Sequence, residues 1–81
     1  MTAEVTMPKF GETMEEGTIV EWKKEVGDAV AEGEVLVDVE TDKSILEVES
    51  FVSGTLLKIL VETGQTVPVN TPIAIIDTAD G

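Results

Sequence analysis

Apolar and polar residues alternate with a period of two along much of this chain, as in Val35-Leu36-Val37-Asp38-Val39-Glu40 and Ile45-Leu46-Glu47-Val48-Glu49. That is the pattern of strands with one buried face. No stretch sustains a 3.6-residue period, and Gly11, Gly17, Gly27, Gly33, Gly54 and Gly64 punctuate the chain at strand-length intervals. The pattern predicts strands over 3–8, 18–24, 28–31, 35–41, 44–50, 55–61, 66–69 and 72–77. Pro8, Pro68 and Pro72 then fall at strand ends or on short edge strands, where a missing N–H is tolerated. The short strands turn corners between two sheets, so the expected fold is all-β: a flattened barrel or sandwich.

The two clearest alternating segments meet at Thr41-Asp42-Lys43-Ser44, a polar turn without glycine. If Thr41 and Ser44 close it, residue 40 pairs with 45, 39 with 46 and 37 with 48. Val37, Val39, Leu46 and Val48 then share one face, and Asp38, Glu40, Glu47 and Glu49 the other. A one-residue slip would mix the two sets, so burial of the apolar face pins the register and places Lys43 at the hairpin tip.

The second half of the chain repeats the first at an offset of 37 residues, Gly17-Thr18-Ile19-Val20 falling on Gly54-Thr55-Leu56-Leu57. At that offset Trp22 meets Ile59, Glu25 meets Glu62, Gly27 meets Gly64, Val30 meets Val67, Leu36 meets Ile73 and Val39 meets Ile76. Gly33 meets Asn70, another residue that tolerates positive φ. Continued upstream, the offset sets Glu12 on Glu49, Thr13 on Ser50 and Met14 on Phe51. Two half-domains that each expose an apolar face bury it against each other, which predicts a pseudo-twofold axis. Residues 1–78 form one domain on this reading, and 79–81 begin a linker or tail.

Composition narrows the chemistry. An 81-residue domain buries only about 60% of the surface its unfolded chain exposes. There is no cysteine, so neither a disulfide nor a thiolate zinc site supports it, and no histidine for a triad or a common metal site. Seventeen acids against five lysines give a net charge of −12, which opposes nucleic acid and anionic membrane as partners. Apolar runs are too short to span a bilayer, and Met1-Thr2-Ala3-Glu4-Val5 has neither a signal peptide's apolar region nor a transit peptide's arginines. A bacterial or archaeal cytoplasm is the expected location, or the mitochondrial matrix if a transit peptide has been removed. Carboxylates are plentiful, yet none sits in a catalytic frame, and calcium-loop and phosphate-loop motifs are absent. No catalytic residue and no metal ligand is assigned.

Position alone makes Lys43 an ordinary turn lysine. A Schiff-base lysine needs desolvation or a neighbouring cation, whereas Lys43 is surrounded by Asp38, Glu40, Asp42, Glu47 and Glu49. The sequence around it changes the reading. Glu40-Thr41-Asp42-Lys43-Ser44, followed by Glu47-Val48, resembles the lipoylation motif of lipoyl domains from the acyltransferase subunits of 2-oxo acid dehydrogenase complexes. The likeness runs through most of the chain. Met7 to Trp22 is similar to the family's first strand, exposed loop and second strand, and Gly27-Asp28 and Gly54 match its turn glycines on either side of the lysine. Biotinyl domains share the architecture, but their lysine usually stands between two methionines, where this chain has Asp42 and Ser44.

The resemblance implies a flattened barrel of two four-stranded antiparallel sheets with quasi-twofold symmetry, and a non-enzymatic carrier whose Lys43 takes lipoic acid through a covalent amide. In the family the group is acylated reductively by a thiamine-diphosphate decarboxylase, delivers the acyl group to coenzyme A at the acyltransferase core, and is reoxidised by dihydrolipoyl dehydrogenase. These three enzymes and a lipoylating enzyme are the implied partners, and the isolated domain is expected to be a monomer. Thr41, Asp42, Ser44 and Glu40, with Gly27 and Gly54, form the implied turn and recognition set, Asp42 and Ser44 also serving to satisfy the turn's backbone. The loop Gly11, Glu12, Thr13, Met14, Glu15, Glu16 and Gly17 is the implied partner contact, and it resembles pyruvate- and acetoin-type domains more than 2-oxoglutarate ones. Trp22 is expected in the core rather than as a ligand platform. The alternatives are a biotin carrier modified at the same lysine, and an unmodified interaction module.

Overall fold

A computed structural model describes residues 1–78 as eight strands with no helix among them. They are β1 Thr2–Thr6, β2 Glu16–Trp22, β3 Ala29–Val30, β4 Val35–Glu40, β5 Ile45–Glu49, β6 Gly54–Ile59, β7 Thr66–Pro68 and β8 Pro72–Asp77. Every expected strand is present, with ends shifted by at most two residues. The proposed linker at 79–81 lies outside the described residues.

The strands form two antiparallel four-stranded sheets, ordered β1-β8-β6-β3 and β5-β4-β2-β7. Each takes two strands from either half of the chain. The pairing repeats residue for residue: Thr18↔Glu40, Ile19↔Val39 and Trp22↔Val37 recur 37 residues on as Thr55↔Asp77, Leu56↔Ile76 and Ile59↔Ala74. Even the bulge is copied, between Ile19 and Glu21 in one sheet and between Leu56 and Lys58 in the other. Turns repeat as well. The Gly27 N–H donates to Leu56 O at 2.7 Å, and the Gly64 N–H to Ile19 O at 2.8 Å. Gly33 and Asn70 occupy the same left-handed conformation, at φ 89° and 76°.

The offset changes at the edge strands. β1 and β5 correspond at 43 residues, since Thr2↔Asp77 and Val5↔Ala74 mirror Ile45↔Glu40 and Val48↔Val37. Met7 therefore matches Ser50, and both are buried. The expected matches of Glu12 with Glu49, Thr13 with Ser50 and Met14 with Phe51 do not hold. Three residues lead from Ser50 to Gly54, whereas nine lead from Met7 to Gly17, and this longer loop absorbs the difference between the two offsets.

The core is the apolar face that alternation predicted, doubled by the repeat. Leu36, Val37 and Val39 on β4 and their twins Ile73, Ala74 and Ile76 on β8 are all fully buried in one core, with Ile19 and Leu56. Each such valine, leucine or isoleucine side chain contributes about 1.5–3 kcal/mol on burial. Trp22 packs at the core's margin and donates its indole N–H to Val61 O at 3.0 Å.

Candidate functional site

Lys43 stands at the tip of the β4–β5 hairpin. The predicted register is present: Glu40↔Ile45, Val39↔Leu46 and Val37↔Val48, with a bulge beyond Val37 that turns Leu36 inward as well. Burial of Val37, Val39 and Val48 fixes this register, and the register fixes the turn.

Thr41 organises the turn itself. Its N–H donates to Ser44 O at 2.8 Å and its hydroxyl donates to the same carbonyl at 2.9 Å. That hydroxyl oxygen also accepts the N–H groups of Lys43 and Ser44, both at 3.2 Å. One side chain thus satisfies the backbone that a glycine-free turn leaves without partners. Asp42 and Ser44 were expected to do this, but the side-chain hydrogen bonds of the turn are all made by Thr41; the other two side chains are exposed. The signal was the threonine's place two and three residues before the amides it receives.

The amine of Lys43 is exposed and makes no ion pair with the described residues. Two other lysines are engaged. Lys23 reaches Glu21 at 2.9 Å and Asp38 at 3.3 Å, and Lys24 reaches Glu34 at 3.0 Å. Hydrogen bonds to Glu21 and then Asp38 hold the Lys23 ammonium above its ordinary value. The Ala31 N–H, and after it Lys24, hold the Glu34 carboxyl below its own. Lys9 follows β1 in the loop, and Lys58 lies within β6.

The Gly11–Gly17 loop lies against the lysine turn. A turn closed by the Met14 N–H on Gly11 O at 3.1 Å holds its shape, and Val69 N–H on Glu15 O at 2.9 Å fastens it to the connection after β7. Glu12, Thr13, Glu15 and Glu16 point to solvent, whereas Met14 and Gly17 are buried. These last two are anchors, not outward contacts: a Cβ on Gly17 would stand 2.7 Å from Val39 Cγ1 and 2.8 Å from Met7 Sδ. Between the loop and the turn runs a cleft of about 160 Å3, bordered by Phe10, Thr13, Met14, Asp42, Lys43 and Leu46.

Gly27 and Gly54 are not brought to the lysine. Gly27, in the turn before β3, binds Leu56 O, and Gly54 opens β6 and packs against the backbone of Asp77, so both lie with the sheet that carries the chain ends. Their repeat mates Gly64 and Gly17 lie in the lysine half. The counterpart of the lysine turn is the meeting of the two ends, where Thr78 N–H and hydroxyl bind Met1 O as Thr41 binds Ser44 O. The amine and the chain ends thus occupy opposite poles of the strands. Among the described residues no three acids cluster as a metal site would require.

A profile of the family described as "Biotin-requiring enzyme" matches residues 3–76. The chain is 47% identical over 77 residues to the pyruvate dehydrogenase E1 component subunit beta of Rhizobium meliloti, covering 94% of this chain and 17% of that protein. It is 45% identical over 78 residues to the dihydrolipoyllysine-residue succinyltransferase component of the 2-oxoglutarate dehydrogenase complex of Staphylococcus saprophyticus, covering 96% and 18%. With the dihydrolipoyllysine-residue acetyltransferase component of the pyruvate dehydrogenase complex of Corynebacterium glutamicum it shares 48% over 80 residues, covering 99% and 12%. The chain thus spans less than a fifth of these relatives' length. In structure it is similar to the lipoyl domain of the 2-oxoglutarate dehydrogenase complex from Azotobacter vinelandii, with TM-score 0.75 and 32% identity over 91% of this chain and 94% of that one.

Proposed function

The chain belongs to the biotin/lipoyl attachment family and is a lipoyl domain by sequence and fold, and on that footing we propose that Lys43 is the lysine that lipoic acid joins, in a carrier serving a decarboxylase of the pyruvate or acetoin type. The observation that carries the assignment is the free amine of Lys43 at a hairpin tip whose backbone Thr41 holds. Lys23 and Lys24 are tied to carboxylates, and Lys58 projects from a strand. An activated acyl group brought by a lipoylating enzyme needs such an outward amine, and amide formation removes its charge.

When attached, the group supplies a cyclic disulfide on a long flexible arm. The protein's part is presentation. Buried valines fix the register, Thr41 fixes the turn, and the acidic loop beside it offers partner enzymes a second surface to read. The decarboxylase, the acyltransferase core and dihydrolipoyl dehydrogenase are the proposed stations of the carrier, with an acyltransferase as the proposed parent chain. A tether would keep the domain near each of them at about millimolar effective concentration. Gly11, Thr13-Met14 and Gly17-Thr18-Ile19-Val20 support the pyruvate or acetoin type.

Lipoate ligase with lipoate and ATP tests the assignment. One lipoyl mass is expected, mapped by peptide analysis to Lys43, and a Lys43→Arg variant should stay folded and unmodified. Lipoate on Lys58, or modification of the variant, would overturn it. Biotin with biotin ligase should add no mass.

A further inference from the structure

We propose that the cleft between Phe10 and Lys43 is a resting seat for the oxidised dithiolane ring of the domain's own lipoyl group. The inference rests on Lys43 being the lipoylated residue. Its ground is that the cleft and the attachment point share a residue: Lys43 forms part of the rim, opposite Phe10, with Met14 and Leu46 along it.

Size and chemistry agree with one occupant. The cleft, of about 160 Å3, has room for a five-membered ring. Phe10 leaves 39% of its surface exposed at the rim, although its neighbour Met14 is buried. The ring and the methionine offer soft contacts suited to sulfur, since sulfur and aromatic faces attract by about 0.3–1.5 kcal/mol. The Phe10 main chain is also anchored, because its backbone N–H donates to Met14 Sδ at 3.2 Å. A ring tethered at the rim meets the seat at a high effective concentration, so weak contacts suffice to fill it for much of the time.

Such a seat cannot bind tightly, because partner enzymes must draw the arm out. Seating shields the disulfide from small reductants while the carrier is idle, and a partner that displaces Phe10 releases it. The loop beside Lys43 would then both recognise the partner and control exposure of the cargo.

The test uses the domain lipoylated by ligase, with occupancy at Lys43 verified by intact mass and peptide mapping. NOEs are expected from the dithiolane protons to the Phe10 ring and the Met14 methyl group. An octanoylated domain, which has the chain without the disulfide ring, should lack the shifts at Phe10. Reduction by a water-soluble phosphine gives a second reading: a seat filled two-thirds of the time slows it about threefold, a factor Phe10→Ala should abolish. Phe10 is partly exposed, so the variant should fold, and an unchanged amide spectrum away from the loop would show that it does. A fully lipoylated domain with shifts confined to residues 42–44, no NOE to Phe10 and equal reduction rates would overturn the seat and leave the carrier assignment standing. Failure of Lys43 to be lipoylated would overturn both.

Discussion

The hydroxyl of Thr41 accepts the backbone N–H of Lys43 at 3.2 Å, so the residue that carries the amine is oriented by a side chain two positions before it. Thr41→Val keeps the shape and removes this hydroxyl, leaving two turn amides and the Ser44 carbonyl without it. A loss of about 1 kcal/mol in stability is expected, because the turn is solvent-accessible and water replaces part of what is lost. Lipoylation should fall more than stability does, and Thr41→Ser should restore it. Ligase kinetics on the three proteins, beside urea unfolding, check this; equal rates for Val and Thr would show that the turn needs no such support.

Gly17 and Gly54 are repeat mates with different tolerance. A Cβ on Gly17 meets side chains, Val39 and the flexible Met7, whereas one on Gly54 runs into the Asp77 carbonyl on the neighbouring strand. Gly17→Ala should cost about 1–3 kcal/mol through overpacking. Gly54→Ala should cost more, because strand backbone cannot yield without breaking the ladder. Thermal unfolding of both variants decides it, and the reverse order would contradict the packing described.

Exchanging Asp42 with Lys43 moves the amine by one position at an exposed tip. Stability should change by less than about 0.5 kcal/mol. Lipoylation should nevertheless drop sharply, because the neighbouring position points the side chain in another direction. A swapped variant lipoylated at the unmodified rate would show that the ligase does not read position.

Two charged side chains set opposite pH limits. The Glu34 carboxyl is held below its ordinary value of 4.5 in the folded protein, so its contribution is complete above that pH and is lost as pH falls through the folded value. The Lys23 ammonium is held above 10.5, so its contribution is complete below that pH and is lost as pH rises through the folded value. Glu34→Gln should therefore converge with the parent protein in strong acid, and Lys23→Met in strong alkali. Both groups are on the surface, so the differences are small and shrink with salt. Urea midpoints across pH give the measurement.

Glu15, on the loop beside the lysine turn, and Glu16, which the structure makes the first residue of β2, are both exposed. Changing both to glutamine should slow reductive acylation by a pyruvate-type decarboxylase and lessen its salt dependence, while lipoylation stays the same. The fully lipoylated domain with Glu15 and Glu16 in place should also be acylated faster by pyruvate or acetoin decarboxylases than by a 2-oxoglutarate one. Equal rates would remove the substrate assignment and leave the carrier.

Alternation and glycine spacing were enough to place all eight strands, because a half-buried strand must alternate and a one-residue error exposes its whole apolar face. The lysine hairpin was legible for that reason. Other features depend on geometry that spacing does not carry. Met14 sits among polar loop residues yet is buried, since the space beside Gly17 admits its side chain. Gly27 and Gly54 lie on either side of Lys43 in sequence, yet in space the first binds β6 of the other sheet and the second opens that strand. The second offset could have been found: Glu4-Val5 and Glu47-Val48 stand 43 residues apart and occupy equivalent positions on β1 and β5. Extending the 37-residue match through the loop hid them.

Because each sheet draws two strands from either half, neither half can close a sheet while the other is unfolded. β1 waits for β8, and the two are joined by nearly the full length of the chain. A folding nucleus built on the β4–β5 hairpin alone would leave its inner valines uncovered until the distant β8 arrives. Topologies dominated by such pairings fold in milliseconds to seconds rather than microseconds. The same interleaving ties the lysine turn to the rest of the molecule: it should exchange its amide protons through local fraying at the tip, while the valines beneath it open only when the whole domain does.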